Sequence, residues 1–340
     1  MSLLTGLVAP SSLRAALMNA TTPFSRPVLA CDLGGTRMKI GVVRGGKVLA
    51  QTVEPANSKQ GLAPQLPVLK AAWLRLLATA DIRLGDCAGL GVAFPSIIDH
   101  ASGRILAEYG KYADAMGLDL RAWSRAEFGL PLAIENDARM ACIGEWRSGA
   151  GRGVDHLVMM TLGTGLGTSA ILDGRVLRGV HGQAGVLGGH LTVRYGGRAC
   201  SCGNLGCAEA EASTAFLADL AASRPDFAAS ALAREPLLDF AAVFRQAAAG
   251  DSCAVALRDH SLLVWASLAV NLIHCYDPQL VILGGGIMAS ADVVLPAVRE
   301  HVRRHAHTPW GQVRVEASAL GDQAALVAAE WLLEEQAVYF

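Results

Sequence analysis

The chain has 340 residues, more than one hydrophobic core usually serves, so we expect two domains. Hydrophobic residues make up 52% of it and charged residues 17%, which excludes an intrinsically disordered chain. The formal net charge of -1 excludes a general electrostatic attraction to nucleic acid or to anionic membranes.

The first 27 residues have neither signal-peptide nor transmembrane character. The apolar stretch over residues 3–9 is short, no basic residue precedes it, and Arg14 follows it. No uninterrupted run of apolar residues is long enough to span a bilayer, so we expect no membrane-spanning helix. We therefore expect residues 1–27 to be a flexible N-terminal tail on a cytoplasmic protein.

Two stretches of the chain share one pattern of strands and turns. Residues 28–33, 38–43 and 47–53 predict three strands, with Gly34-Gly35-Thr36 joining the first two. Residues 157–162, 167–172 and 175–177 repeat the pattern, with Gly163-Thr164-Gly165 at the corresponding turn. A duplication of this kind predicts two similar domains that face each other across a cleft, with both turns gripping one phosphate chain.

The rest of the chain alternates between predicted helices and strands, which indicates the α/β class. Helices are expected over residues 66–78, 120–128, 137–147, 261–276 and 322–334, and further strands over residues 88–94, 131–135 and 280–283. We expect an N-terminal domain of residues 28–136 plus 322–340. A C-terminal domain of residues 137–321 would contain a small zinc knuckle at residues 190–209.

The first turn combines backbone N–H groups, a hydroxyl and a carboxylate. Gly34 and Gly35 would let the main chain approach a phosphate, Thr36 adds the hydroxyl, and Asp32 could hold Mg²⁺ through water. The alternative is an ordinary hairpin turn, because an isolated Gly-rich turn is weak evidence. Repetition of the chemistry at Gly163, Thr164 and Gly165 favours a nucleotide site.

A third glycine element, Gly284-Gly285-Gly286, follows a predicted strand. Bare backbone at this place would let an adenine or a ribose lie flat against it. None of the three elements is a Walker motif, because the sequence has no Gly-x-x-x-x-Gly-Lys-Ser/Thr.

The run Glu135-Asn136-Asp137 ends a predicted strand and opens a predicted helix, where α/β folds commonly place ligands. A carboxylate at this place can accept a hydroxyl proton during phosphoryl transfer. Asp137 lies at the positive end of the helix dipole, so we expect a low proton affinity for it. The alternative is that Asp137 is only a helix cap and Asn136 only a turn residue.

Four potential metal ligands lie close together in the sequence: His190, Cys200, Cys202 and Cys207. Three thiolates and one imidazole close a tetrahedral zinc shell without an open position, which indicates a structural metal rather than a catalytic one. The alternative is three unpaired surface thiols, although cytosolic proteins rarely cluster cysteines without use.

Together these residues resemble the ROK family of repressors, open reading frames and sugar kinases. The matches occur in family order from residue 28 onwards: Asp32 to Thr36, Glu135 to Ala138, Gly163 to Gly167, the metal cluster followed by Glu209, and Leu283 to Gly286. The resemblance implies an actin-like, ribonuclease-H-like ATPase fold. It also implies phosphorylation of a hexose or N-acetylhexosamine hydroxyl, usually at C6, by Mg-ATP, as in kinases of the glucokinase and N-acetylmannosamine kinase type.

The resemblance further implies Asp137 as the catalytic base, with Asn136, His190 and Glu209 holding sugar hydroxyls. The cofactors would be ATP with a catalytic Mg²⁺ and one structural Zn²⁺. We expect a homodimer that binds sugar and ATP and binds neither nucleic acid nor a membrane.

The sequence departs from the family pattern at three places. Family members usually have a sugar-binding Glu where this chain has Leu187, three residues before the metal-cluster histidine. An Asn is common where this chain has Arg139, and a Pro-Gly step is usual where it has Pro95-Ser96. A neighbour such as Gln183 or His181 could replace the acceptor lost at Leu187.

Two other functions compete with a sugar kinase. A transcriptional repressor would need a helix-turn-helix ahead of Asp32, and the preceding segment has only Arg14 and Arg26 as basic residues, with prolines that break helices. A sugar sensor without turnover is favoured by Leu187, whereas the retained Asp32, Asp137 and both turns favour the kinase.

Overall fold

The computed structural model describes residues 26–339, with side chains as far as residue 336. Apart from its last two residues, the expected N-terminal tail lies outside this range. The strands are β1 Val28–Leu33, β2 Arg37–Arg44, β3 Lys47–Pro55, β4 Gly89–Phe94, β5 Ile98–Asp99, β6 Arg104–Ile105, β7 Leu132–Asn136, β8 Leu157–Leu162, β9 Leu166–Leu172, β10 Arg175–Val176, β11 Leu280–Gly284 and β12 Arg314–Ala317. The α-helices are α1 Leu66–Thr79, α2 Leu120–Phe128, α3 Asp137–Ser148, α4 Ala208–Ala212, α5 Leu217–Ala222, α6 Phe240–Ala248, α7 Ser252–Tyr276, α8 Ala291–His305 and α9 Ala324–Tyr339.

Two five-stranded sheets have the same topology. The first has the order β3-β2-β1-β4-β7 and the second the order β10-β9-β8-β11-β12. In each, an antiparallel meander of three strands is followed by two strands that run parallel to the meander's first strand. The structure thus confirms the duplication that the sequence predicts. Because β1, β4 and β7 are parallel, their carboxyl ends lie along one edge of the first sheet.

The first sheet is covered on both faces. Successive side chains of a strand point to opposite faces, so a strand with apolar residues on both needs a core on each side. Leu29, Cys31 and Leu33 of β1 face a core that contains Trp73 of α1. Val28 and Ala30 of the same strand face the other core, where α9 packs. Helix α1 buries Leu69, Ala72, Trp73, Leu76 and Leu77, the spacing of one helical face.

The second sheet packs against the long helix α7. By length and composition alone this helix could cross a membrane, and 50% of its most apolar window is buried inside the protein. Trp265, Leu268 and Leu272 of α7 belong to the largest hydrophobic core, together with Val158 of β8. The apolar length of α7 therefore follows from its place in the core.

Helix α3 connects the two halves. It packs against α9, which lies on the first sheet, and against β8 and β9 of the second sheet. The expected domain boundaries at residues 136/137 and 321/322 stay a prediction. Because α3 contacts both halves, any boundary between the domains has to assign this helix to one of them.

The predicted elements differ from the observed ones mainly at their ends. Helix α7 begins at Ser252 rather than at residue 261, because the Asp251 side chain caps it by accepting a hydrogen bond from the Ala254 N–H. Helix α9 begins at Ala324 rather than at residue 322. Helices α4, α5, α6 and α8 and strands β5, β6 and β12 have no counterpart among the predicted elements.

Candidate active site

The start of α3 lies at the carboxyl edge of the first sheet. Strand β7 ends at Asn136, whose side-chain oxygen accepts a hydrogen bond from the Arg139 N–H at 3.0 Å and so caps the helix. The Asn136 amide also donates to the Ser96 carbonyl at 3.1 Å, beyond the end of β4. These bonds fix the direction in which Asp137 leaves the sheet.

Asp137 itself is half-buried, and its Oδ1 accepts a hydrogen bond from the Ala138 N–H at 2.8 Å. Burial, and next the neighbouring Asp32 carboxylate, raise the pKa of Asp137 to about 6. The expectation of a low proton affinity was therefore wrong. A helix N-terminus stabilises a carboxylate by about 0.3–1 kcal/mol, which is too little to offset burial next to a second negative charge.

The first glycine turn joins β1 to β2. Its Gly34 N–H donates to the Arg37 carbonyl at 3.0 Å. Asp32 is opposite Lys39 in the strand register, and the Lys39 ammonium lies 3.4 Å from Asp32 Oδ2 and 2.9 Å from Asp322 Oδ1. Burial nevertheless raises the pKa of Asp32. Thr36 is exposed at the tip of this turn.

The second glycine turn joins β8 to β9. The carbonyls of Gly163 and Thr164 accept hydrogen bonds from the N–H groups of Thr214 and Ala215, at 3.1 and 3.0 Å. Glu209 Oε2 accepts a hydrogen bond from the Leu166 N–H at 2.9 Å, and a Cβ atom on Gly165 would lie 2.5 Å from that same oxygen. The carboxylate of Glu209 thus lies directly on this turn.

Strand β9, which follows the second turn directly, packs against the helix that Asp137 opens. A Cβ atom on Gly167 would lie 2.8 Å from Cβ of Ala138. The structure therefore brings the second turn, Glu209 and the start of α3 together. This juxtaposition agrees with a site formed by both halves.

The third glycine element is adjacent to the second turn, because β11 is paired with β8. Gly285 has a φ of 90°, and a Cβ atom on it would lie 2.4 Å from the Leu162 carbonyl oxygen. Gly284 has a similarly close neighbour in Met159. Packing on the β8 backbone therefore already requires glycine at Gly285. At Gly284 the close atom is the flexible end of the Met159 side chain, and Gly286 faces open space.

The four predicted metal ligands meet in space. Their ligand atoms all lie within 4.8 Å of one another, with 3.6 Å between Cys200 Sγ and His190 Nδ1 and 3.7 Å between Cys202 Sγ and Cys207 Sγ. A tetrahedral zinc ion with sulfur and nitrogen ligands needs separations of roughly 3.5–3.8 Å between ligand atoms. The cluster fits a zinc ion with little adjustment.

The metal cluster is joined to Glu209 by a short stretch of backbone. Helix α4 begins at Ala208, directly after Cys207, and carries Glu209 in its first turn. The position of the Glu209 carboxylate on the second turn thus depends on the fold of this knuckle.

Arg139, one of the departures from the family pattern, is fully buried. Its guanidinium bonds Glu135 Oε1 at 2.6 Å and donates to the carbonyls of Gly182 and Ala184, at 2.9 and 3.1 Å. Arg139 therefore fixes the loop that leads to Leu187. The i,i+4 spacing of Glu135 and Arg139 on either side of a helix start is a signal that sequence reasoning missed.

The partner of this arginine belongs to a larger buried network. Arg178 Nε lies 2.7 Å from Glu135 Oε2, and its other nitrogens bind Glu335 of α9 at 2.9 and 2.6 Å. Burial alone would raise the pKa of Glu135, but Arg139 and Arg178 together hold it below its usual value. The network makes Glu135 a structural anion rather than a second base.

A model of the ROK family matches residues 28–336. The chain belongs to the ROK family. A glucokinase from Thermotoga maritima is 31% identical over 319 residues, which are 91% of this chain and 98% of that protein. The crystal structure of a ROK family glucokinase from Streptomyces griseus in complex with glucose and AMPPNP is 29% identical, with a TM-score of 0.73, and the match covers 91% of this chain and 99% of that one.

The ROK family also contains regulators. A putative xylose repressor from a Caldicellulosiruptor species is 30% identical over 246 residues, which are 70% of this chain and 60% of the repressor. The kinases match over nearly their whole length. The fold is the α/β, actin-like fold of the ROK sugar kinases, and the chain is an ATP-dependent sugar kinase.

Proposed function

We propose that this kinase transfers the γ-phosphoryl group of ATP to the C6 hydroxyl of a hexose or an N-acetylhexosamine, with Asp137 as the general base. The observation that carries the proposal is the position of Asp137. It stands at the carboxyl edge of the first sheet, within electrostatic reach of Asp32, at the start of a helix that packs against β9 next to the second turn.

ATP would lie between the two glycine turns, with its adenine base near Gly284, Gly285 and Gly286. Asp32 and Asp137 offer carboxylate oxygens, the ligands that Mg²⁺ prefers. The two carboxylates repel each other, and a bound cation would reduce this repulsion. A magnesium ion held by Asp32 would neutralise charge on the phosphates. Thr36 and Thr164 would add hydroxyl donors to the same phosphates.

The sugar would be held by Asn136, Glu209 and His190. His190 faces Cys200 through Nδ1, so a sugar hydroxyl would have to meet Nε2. Zinc at this cluster would be structural, since four protein ligands leave no open position. We propose a cytoplasmic location from the relatives, and the homodimer stays a prediction.

The chemistry assigned to Asp137 suits its environment. A base with a pKa of about 6 is ionised at neutral pH and still basic enough to accept a proton from a hydroxyl in the transition state. As the hydroxyl oxygen bonds to phosphorus and the bond to ADP breaks, the proton passes to the Asp137 carboxylate. Exclusion of water around the bound sugar would prevent hydrolysis of ATP.

An ADP-release screen over common hexoses and N-acetylhexosamines, followed by NMR of the product, tests the reaction and its position. For the preferred sugar, Asp137→Asn should lower kcat by about 10²–10⁴-fold, the usual effect of removing a positioned base. Asp81→Asn is the matched control, because Asp81 is exposed and has a left-handed φ of 53°, which asparagine tolerates.

The pH dependence of kcat/KM tests the same role of Asp137. Only the ionised Asp137 can accept the proton, so kcat/KM for the sugar should be constant at neutral pH and fall as the pH drops through about 6. Asp137→Asn should lack this limb of the profile. If the variant kept more than about a tenth of wild-type kcat, the base would be a different residue.

A further inference from the structure

Lys111 lies beside the first glycine turn, on the segment between β6 and α2. A Cβ atom on Gly35 would lie 2.9 Å from Lys111 Cε and 3.5 Å from its Nζ. The ammonium also lies within electrostatic reach of Asp137, where it partly opposes the effect of burial on the pKa of that carboxyl. Lys111 therefore lies both beside the first glycine turn and near the proposed general base, Asp137.

The backbone around Lys111 is held in an unusual conformation. Gly110 and Tyr112, on either side of it, both have left-handed φ values, of 72° and 55°. This conformation is uncommon for a bulky aromatic residue and persists only where surrounding contacts impose it. Such outliers concentrate at functional sites, and this one lies next to the first glycine turn.

The contacts that impose the conformation all lead to the first turn. The Tyr112 hydroxyl donates to the Gly34 carbonyl at 2.8 Å, and the Tyr112 N–H donates to the Ser58 carbonyl at 2.8 Å. The Ser58 hydroxyl in turn donates to the Gly35 carbonyl at 2.7 Å. The Tyr112 ring is 1% exposed and lies against Phe94 at the end of β4. The segment and the turn are thus one bonded unit.

The two lysines near the first turn differ in whether a carboxylate is paired with them. Lys39 is paired with Asp32 and Asp322. Within the part of the chain whose side chains are described, residues 26–336, no carboxylate forms an ion pair with Lys111 and no acceptor takes a hydrogen bond from it. Lys111 is half-buried, and an ammonium group without such a partner beside the first glycine turn suits an anionic ligand.

We propose that Lys111 is a catalytic residue of this kinase, whose ammonium group binds the terminal phosphates of ATP and stays on the phosphoryl group during transfer. The inference rests on the proposed function, since ATP has to bind at the first turn. The hydroxyl oxygen forms the new bond to phosphorus, the bond to the ADP oxygen breaks, and the proton goes to Asp137. Lys111 keeps its protons throughout and stabilises negative charge.

Lys111→Met tests the charge while keeping the aliphatic chain that packs on Gly35. The loss of one electrostatic stabiliser of the transition state should lower kcat/KM for ATP by about 10²-fold, with KM for the sugar changing by less than about threefold. Lys111→Arg should recover part of the loss. Lys59→Met is the matched control, because Lys59 is exposed and follows Ser58, and it should behave as wild type. Equal unfolding temperatures would show that the variants fold.

Calorimetry with AMPPNP and ADP separates this inference from the proposed function. If the wild type phosphorylates none of the sugars, the proposed function fails, and nucleotide binding alone decides the role of Lys111. A weaker affinity of Lys111→Met for AMPPNP, larger than any loss for ADP, supports the inference. Equal affinities in variant and wild type, equal losses for both nucleotides, or no AMPPNP binding by the wild type would overturn it.

Discussion

The two glycine turns occupy the same place in two sheets of the same topology. Each follows the first strand of its meander, and each spans three residues between paired strands. In the strand registers, Asp32 pairs with Lys39 in the first sheet, and Thr161 pairs with Gly167 in the second. The duplicated frame therefore supports charged groups at one turn and small neutral ones at the other.

The side chains that reach the turns from elsewhere differ in the same way. Lys111 approaches Gly35 of the first turn, whereas Glu209 approaches Gly165 of the second. One turn thus receives a cation and the other an anion. Both turns have bare backbone, and we propose that Lys111 adds phosphate binding at the first turn and Glu209 adds hydroxyl recognition at the second.

Among the substitutions that compare the two turns, the largest effect is expected from removing the support of the second turn. Cys202→Ser should lose a stoichiometric zinc ion, and loss of the knuckle should displace Glu209, which follows it directly. We expect kcat/KM for the sugar to fall by about 100-fold, while the affinity for AMPPNP, measured by calorimetry, changes little. Elemental analysis of the purified protein measures the metal.

Cys275→Ser is the control for this prediction, because Cys275 is an exposed cysteine at the end of α7, outside the cluster. A metal-free preparation of the wild type with full activity would rule out a structural role for zinc. An equal loss of sugar and nucleotide binding would mean that the knuckle supports the whole site rather than the second turn.

The sequence predicts the duplicated frame because its signals are local. Apolar strands, glycine turns and the start of a helix at Asp137 each lie within a few residues, although the structure makes Asn136 rather than Asp137 the N-cap. The metal cluster is predictable for the same reason, because metal-ligand spacing in sequence is specific. Helices α6 and α8 also show a periodic buried face, such as Val294, Val298 and Val302, so they could have been predicted.

Other features of the site depend on contacts between distant segments. The left-handed Tyr112 is fixed by hydrogen bonds to residues that precede it by more than 50 positions, and its sequence neighbours give no indication of this. The pKa of Asp137 depends on burial and on Asp32 from another strand. The local helix dipole was visible in the sequence, but these larger non-local effects were not.

Two glycine substitutions test whether the turns serve different substrates. In Gly35→Ala the new methyl group would contact Lys111, and in Gly165→Ala it would contact Glu209. Displacement of an anchoring charge by a fraction of an ångström should cost about tenfold in kcat/KM. We expect Gly35→Ala to raise KM for ATP and Gly165→Ala to raise KM for the sugar, in steady-state assays that vary each substrate separately.

Gly85→Ala provides the control for these two variants, since no atom lies within 4 Å of the new Cβ atom. If both substitutions raised KM for the same substrate, the division of labour between the turns would be wrong, although the kinase assignment would stand.

The smallest expected effect concerns Leu187, which lies half-buried before the short 3₁₀ turn Gly188–His190. Leucine cannot accept a hydrogen bond, and a sugar hydroxyl buried there without a partner costs roughly 1–3 kcal/mol. Plain glucose should therefore be a mediocre substrate, unless the exposed side chain of His181 or Gln183 provides an acceptor. Leu187→Glu should raise kcat/KM for glucose, relative to the native sugar, by about fivefold, the low end of that range.

Measuring both sugars on both proteins separates recognition from general damage. Leu187→Gln is the matched control, because its amide oxygen accepts a hydrogen bond without adding charge next to the metal cluster. A gain for Glu and Gln alike would assign the effect to the acceptor, whereas a gain for Glu alone would require the charge. Packing under the loop is the remaining role for Leu187, and it predicts that both variants lose activity toward both sugars. A wild type that phosphorylates glucose near about 10⁶ M⁻¹s⁻¹, within the range of efficient enzymes, would contradict this interpretation if Leu187→Glu were also slower.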